Sequence, residues 1–308
     1  MKVSLILTVK NEIDNIDVFF DSLIKQSLKP DEIIIVDAGS NDGTYEKLLS
    51  YTNVFSNLCI ISSPGCNRSQ GRNIAIKKAK YDIIAATDFG CLLHKDWIEE
   101  IIKPIVDGNA DVTAGFYLNT DKRIIALSNS FFTHPDLFEI DENNFLPSTR
   151  SIAFKKICWD SVGGFDEKFI LGEDTKFDFE LKKMNFNFSF NKNAIVYWDA
   201  ENSILKMIKK LFNYSMWDGV GKFNSFYYIK KSIILFFLIL FLIMIFIDIR
   251  FLFIFVLFFL FFVSKIIIRI KKKKMKMSSG FVVLILKPLY DFVQSIGYYF
   301  GRIIGRKI

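Results

Sequence analysis

Acids placed just past apolar runs are the residues of this chain best suited to chemistry. Asp37 closes the run Ile33–Val36, and Asp88 follows the run Asp82–Thr87. Between them lies Gly39-Ser40-Asn41-Asp42-Gly43-Thr44, a cluster of turn formers that opens a helix. A carboxylate after a buried strand can simply cap the next turn by accepting its N–H groups. Two such acids on one sheet edge, with a turn rich in Gly, Ser and Asn between them, fit a site for a phosphorylated, ribose-bearing ligand. A further pair, Glu173-Asp174, follows Gly172. Acids there favour the dipole of a helix over Asp174–Lys183, and a carboxylate so placed also suits a general base. No G-x-G-x-x-G follows the first apolar run, which disfavours a Rossmann site. Gly219-Val220-Gly221-Lys222 lacks the spacing and the Ser/Thr of a P-loop. Asp88-Phe89-Gly90 spells a kinase triplet with no kinase glycine loop or H-R-D around it.

These acids need a sheet to hold them. Val3–Val9 is short, lacks a small-residue cleavage site, and is expected to be a first strand and not a secretory signal. Ile13, Ile16, Phe19, Phe20, Leu23 and Ile24 follow at helical spacing. Ile33–Val36, Leu58–Ile61 and Asp82–Thr87 read as further strands, with a helix over Gly71–Ala79. Repeated β-α-β predicts an α/β fold, a mixed and largely parallel sheet with helices on both faces. Ligands of such sheets bind beyond the carboxyl ends of the strands, where Asp37 and Asp88 fall.

The 308 residues, 51% of them hydrophobic, suffice for one enzyme-sized domain and an appendage. Residues 1–230 carry 27 Lys/Arg against 31 Asp/Glu, and residues 231–308 carry 13 against 2. The basic excess belongs to the tail, so nucleic acid is not an expected partner of the body. Cys59, Cys66, Cys91 and Cys158 form no C-x-x-C pair, which argues for a reducing compartment and against a disulfide framework. Ser232–Ser264 is almost continuously apolar, broken only at Asp248-Ile249-Arg250. A single helix of that length would run about 50 Å against roughly 30 Å of hydrocarbon, so two spans turning at the break are expected. Lys230 and Lys231 before it, and Lys265, Arg269, Lys271–Lys274 and Lys276 after it, then share the cytoplasmic side with the body. Phe281–Ile308 mixes Lys287, Asp291, Arg302, Arg306 and Lys307 with apolar residues and reads as an interfacial amphipathic helix. The expected organisation is a body over 1–225, a transmembrane helical hairpin over 226–270, and a basic segment with the interfacial helix over 271–308.

The motifs together resemble family 2 glycosyltransferases of the GT-A fold. Val3-Ser4-Leu5-Ile6-Leu7 with Asn11-Glu12, then Asp31 to Thr44, Gly71-Arg72-Asn73, Asp82–Asp88, Gly163-Gly164-Phe165-Asp166 and Gly172-Glu173-Asp174 stand in the family's order. The resemblance implies inverting transfer of a sugar from a nucleotide-sugar donor, with a divalent metal, Mg²⁺ or Mn²⁺. By position it implies that Asp37 holds the base or ribose, that Glu12 and Arg72 lie on the donor side, and that Asp88 starts the metal-associated D-x-D. Asp174 would be the catalytic base, with Glu173 orienting its loop. With the membrane tail, the implied acceptor is a membrane lipid, a lipid-linked glycan or a cell-surface glycan, met at the cytoplasmic membrane face.

Departures from the family pattern are specific. Thr8-Val9-Lys10 stands where Pro-Thr-Tyr is usual, and Tyr197-Trp198-Asp199 stands where some relatives place a late histidine. Gly90 replaces the second acid of D-x-D, leaving Asp88 as one carboxylate, and the neighbouring Cys91 suits softer metals. The segment around Trp217 lacks the Gln and Arg of Q-x-x-R-W, which favours single addition over polymer synthesis. Two other functions fit the same residues: transfer to a polyprenyl phosphate, whose anionic acceptor needs a base less, and a non-catalytic partner in a membrane complex.

Overall fold

A computed structural model describes residues 1–142 and 144–306, apart from the side chain of Phe246; Lys307 of the terminal basic group lies outside the described residues. In chain order the elements are β1 (Val3–Val9), α1 (Ile13–Ile24), β2 (Glu32–Asp37), α2 (Thr44–Ser50), β3 (Leu58–Ser62), α3 (Arg68–Lys78), β4 (Ile83–Ala86), β5 (Leu92–Leu93), α4 (Trp97–Val106), β6 (Val112–Leu118), α5 (Ile124–Thr133), β7 (Ile152–Lys155), α6 (Lys156–Val162), α7 (Glu173–Lys183), β8 (Phe188–Tyr197), α8 (Ile204–Gly221), α9 (Ser225–Ile247), α10 (Phe251–Lys272) and α11 (Met277–Ile304). They form two units: Met1–Thr120 with Leu137–Asp199, and Asp121–Asp136 with the chain from Ala200 onward.

The first unit is the predicted α/β body. Its eight strands run in the order β3-β2-β1-β4-β7-β6-β8-β5. β1 pairs in parallel with β2 and β4, β2 with β3, and β6 with β8, while β7 is antiparallel to both its neighbours. Both faces of the central strands are buried, which is why they read as unbroken apolar runs. Leu5, Leu7 and Ile33 pack with Phe19, Phe20 and Trp97 on one face, and Ile6, Ile34 and Val36 with Ala75, Ile76, Phe165 and Phe177 on the other. The body ends at Asp199 and not near residue 225, because α8 packs instead with the helices that follow it.

The second unit is helical. α9 and α10 break at Asp248-Ile249-Arg250 as expected, and their apolar side chains are largely exposed. Phe237 and Phe241 meet Phe258 across this pair. α11 is one continuous helix, and Ser225–Ile245, Phe251–Lys272 and Met277–Ile304 are all long and apolar enough to cross a membrane. α11 touches α9 at its start, where Tyr298 stacks on Tyr228 with centroids 4.4 Å apart and Asp291 pairs with Lys231 at 2.9 Å. It touches α10 at its end, where Val283 packs on Ile266 and Ile270. Lys287 joins Lys231 on Asp291, so two cations and one acid meet within this helix cluster.

Small residues let α11 lie on α8. A Cβ on Gly301 would stand 1.8 Å from the Met216 carbonyl oxygen, and one on Gly219 would stand 2.1 Å from that of Tyr298. Such backbone-to-backbone contact is the usual way helices associate where lipid removes the hydrophobic drive. α5, whose apolar side carries Phe131, joins them: Tyr290 Oη donates to Asn129 Oδ1 at 2.9 Å and Ser128 Oγ to the Ser279 carbonyl at 3.1 Å. Gly301→Leu should therefore destabilise this unit by about 1–3 kcal/mol or more, the usual range for overpacking. A lowered thermal midpoint of the detergent-solubilised chain checks this, and an unchanged one would show that the two backbones do not meet there.

Candidate active site

Helix α3 is fixed by its first turn. Asn67 Oδ1 accepts from Gln70 N and Gln70 Oε1 accepts from Asn67 N, both at 2.9 Å, a reciprocal cap that starts the helix three residues before Gly71. Gly71 then passes close to the end of β1, where a Cβ would stand 2.6 Å from Thr8 Cγ2. This sets the next residue, Arg72, beneath the carboxyl edge of the sheet with only 2% of its surface exposed. Its guanidinium bonds Glu173 through Nη1 and Asp88 Oδ1 through Nη2, the latter at 3.2 Å.

The acids reach Arg72 because α3 also holds the loop before α7. Asn73 uses its whole amide: Nδ2 donates to the Phe165 carbonyl (2.9 Å) and Glu167 Oε1 (3.0 Å), while Oδ1 accepts from Phe165 N (2.9 Å) and Trp159 Nε1 (3.0 Å). Gly164, at φ +90°, has no room for a side chain, since a Cβ would come 2.8 Å from that same Oδ1. Ser69 Oγ donates to the Phe169 carbonyl at 2.9 Å. The chain then turns through Gly172, and α7 opens with Glu173 and Asp174. Glu173 is buried, whereas Asp174 is half-buried and accepts from Thr175 N at 2.8 Å.

Charge is sorted unequally among these groups. Burial would strip the Arg72 proton, but Glu173, Asp88 and Asp174 outweigh it and hold the guanidinium charged. Burial, then the nearby Asp174 charge, pushes the Glu173 carboxyl up against the pull of Arg72. Burial also acts against Asp88, but Arg72, Arg150 and Arg68 outweigh it and keep that carboxyl below the usual range. Burial raises the Cys91 thiol to about 12.

Of the expected site residues, Arg72, Asp88, Glu173 and Asp174 converge. Asp37 and Glu12 stand in an adjoining loop cluster. Asp37 accepts from Gly39 N (3.0 Å), Ser40 N (3.1 Å) and Ser40 Oγ (2.5 Å), so it builds the turn after β2 in the capping manner. Glu12 N donates to Thr44 Oγ1 and Asn11 N to Ser40 Oγ, both at 2.9 Å, which stitches the β1–α1 loop to that turn. Arg150, Trp198, Asn73 and Asp178 also belong to the site or its supports and were not singled out from sequence. Asp178 alone carried a local signal, one helical turn after Asp174 on a face that turns inward. It is fully buried, and neither of its oxygens has a hydrogen-bond partner.

A divalent ion at Asp88 would find a poor donor set. Asp88 already pairs with Arg72, Gly90 offers no ligand, and Arg150 and Arg68 add positive charge beside the same carboxylate. Among the described residues no group of three or more His, Cys, Asp or Glu is placed to hold a metal. The residues suit an anion better than a cation.

Residues 4–158, half of the chain, match the family described as Glycosyl transferase family 2. The chain is 24% identical over 198 residues to glycosyltransferase AglE of Haloferax volcanii, covering 63% of this chain and 65% of that protein. It is 26% identical over 168 residues to the O-antigen chain rhamnosyltransferase WbaN of Salmonella anatum, covering 51% and 52%. The chain thus spans about half to two thirds of the length of these curated relatives. Among solved structures, the mannosyltransferase PcManGT from Pyrobaculum calidifontis, in complex with GDP-Man and Mn²⁺, shares the fold with a TM-score of 0.56 and 16% identity over 70% of this chain and 61% of that one.

Asp178 generates a prediction about stability. Burial first, and then the Asp174 charge, raise its carboxyl well above the usual range. An acid held more tightly protonated in the folded chain has no penalty below its unfolded pKa of about 3.9, and lowers stability as pH rises from there through its folded value. Asp178→Asn should therefore raise the thermal midpoint at pH 7, by about 2–4 °C if the relief is ~1 kcal/mol. The gain should vanish toward pH 4; a gain independent of pH would show that Asp178 is already ionised in the folded state.

Proposed function

The chain belongs to glycosyl transferase family 2, and on that premise we propose that it is an inverting glycosyltransferase. It moves a sugar from a nucleotide-sugar donor to a lipid-linked or cell-surface glycan acceptor at the cytoplasmic membrane face. The observation that carries this reading is the convergence of Asp88, Arg72, Glu173 and Asp174 beyond the carboxyl edge of the sheet. Half-buried Asp174 is the base: it takes the proton of the acceptor hydroxyl as that oxygen bonds the sugar's anomeric carbon. The bond from that carbon to the donor phosphate breaks on the opposite face, and its electron pair leaves with the diphosphate. Glu173 and Asp88 hold Arg72, and the loops of Asp37 and Glu12 lie on the nucleotide side. Asp174→Asn should keep the fold and donor binding and lower transfer by at least about a hundredfold, the low end for a general base. Equal turnover by parent and variant would remove Asp174 from the chemistry and favour an acceptor that is already an anionic phosphate.

The helices anchor the enzyme where such an acceptor resides. α9 and α10 form the spanning hairpin, and α11 runs along the interface, supported by its contacts at the start of α9 and the end of α10. Its outward stripe of Phe281, Ile285, Leu289, Phe292, Ile296 and Ile303 then rests in the headgroup and acyl boundary. In whole cells a cysteine at Ile249 should react with an impermeant thiol reagent, while cysteines at Met275 and Arg306 should not. Labelling at 306 from outside would make α11 a third span, and labelling at 275 would overturn the hairpin.

A further inference from the structure

Strands β4 and β7 run antiparallel with Ala85 opposite Ala153 and Ala86 opposite Ile152. The pairing ends there, and beyond it Arg150, in the turn that leads into β7, comes close enough to Asp88 for its charge to help hold that carboxyl below the usual range. Hydrogen bonds hold this turn against its neighbours: Thr87 Oγ1 donates to the Arg150 carbonyl at 2.8 Å, and Gly115 N to the Ser151 carbonyl at 2.9 Å. The Arg150 guanidinium lies over Trp198, 3.9 Å from the ring centroid, and 5.9 Å from that of Tyr117. Those two rings meet edge to face, and Arg150 Nη1 donates to Ser148 Oγ at 2.8 Å. A guanidinium braced in this way keeps its N–H donors in one plane, the arrangement that matches phosphate oxygens.

Beside it the sequence has given up an acid. Gly90 stands where the second carboxylate of D-x-D would be, yet packing does not demand glycine there, since a Cβ would meet nothing within 4 Å and its φ lies outside the left-handed region. The missing acid removes a metal ligand, and Arg150, whose charge acts on the remaining acid, supplies positive charge beside it.

We propose that Arg150, braced by Trp198 and close to Asp88, binds the donor diphosphate in the role that a second acid and its metal ion would otherwise fill. This rests on the nucleotide-sugar reading above. As the bond from the anomeric carbon to oxygen breaks, the electron pair goes to the terminal phosphate oxygen of the leaving nucleoside diphosphate. The Arg150 N–H groups stabilise the charge that develops there without giving up a proton. Asp88 is then a positioning residue, aiming arginines where its counterparts would aim a cation.

Calorimetry on the full chain in detergent, with UDP, GDP and dTDP as probes in EDTA and in Mn²⁺, tests this. The parent should bind at least one of them with similar affinity in both buffers. Arg150→Ala should weaken that binding in EDTA by about tenfold or more, as expected for lost charge-assisted hydrogen bonds, and Arg150→Lys should recover only part of it. Gly90→Asp, for which there is space, should acquire a tightening by Mn²⁺ that the parent lacks. Should Arg150→Ala fail to fold, Arg150→Lys and Gly90→Asp decide. A parent that binds only with Mn²⁺, or Arg150 variants that bind as the parent does in EDTA, would overturn the role of Arg150. A parent that binds none of the three in either buffer would overturn the nucleotide-sugar reading itself.

Discussion

A guanidinium keeps its charge when it leaves water and must be met by carboxylates, and the body of this protein is arranged to meet it. Arg72 lies almost wholly out of solvent between Glu173 and Asp88. Its partners lie 101 and 16 residues away, one at the start of a helix and one past the end of a strand. Removing either acid would leave the buried charge with one bonded carboxylate in place of two, and breaking a buried pair costs more than the net worth of the pair itself. This constraint fixes α3, the end of β4 and the start of α7 relative to one another. The close pass of Gly71 over β1 and the four hydrogen bonds of Asn73 serve the same end. The half-buried Asp174 then needs no bracing of its own, because it follows Glu173 in sequence.

Much of this was legible in the chain. Apolar runs marked the strands, and the break at Asp248-Ile249-Arg250 marked a helical hairpin that the structure contains. Asp88 and the Glu173-Asp174 pair could be picked out by position, and the structure brings them to Arg72. Arg150 could not, because its place depends on a turn that meets the end of β4 from 60-odd residues away, and no local pattern encodes that meeting. Trp198 was read only as the absence of a histidine. Asp178 was overlooked because an acid at helical spacing usually faces water; here it turns inward with Phe177 and Leu181. The boundary near residue 225 followed the onset of strong hydropathy, whereas α8 joins the helical unit through the small residues it shares with α11.

The helical unit applies a different rule to the same chemistry. Where the body buries charge by pairing it across distant segments, the helices pair Lys231 and Lys287 with Asp291 where α9 and α11 meet. Charged groups in apolar helices are expensive and persist when they face protein and one another. Together with the glycine contacts of α11 on α8, they make a specific joint out of elements whose remaining surfaces are nearly featureless Phe, Leu and Ile.

Helix α5 sets a timetable for biogenesis. It is made between β6 and β7, yet its partners belong to the second unit, and Asn129 must wait for Tyr290, 161 residues downstream. At synthesis rates of about 5–20 residues per second, that delay is on the order of 8–30 s. Until Ile266 is made, Phe131 has none of Ile266, Ile270 or Val283 to cover it. The nascent chain therefore displays an apolar helix while the membrane segments are still being translated, a natural handle for chaperones or the insertion machinery. Helix α11 supplies the last of these partners, so translation must run through it before that early segment is finished.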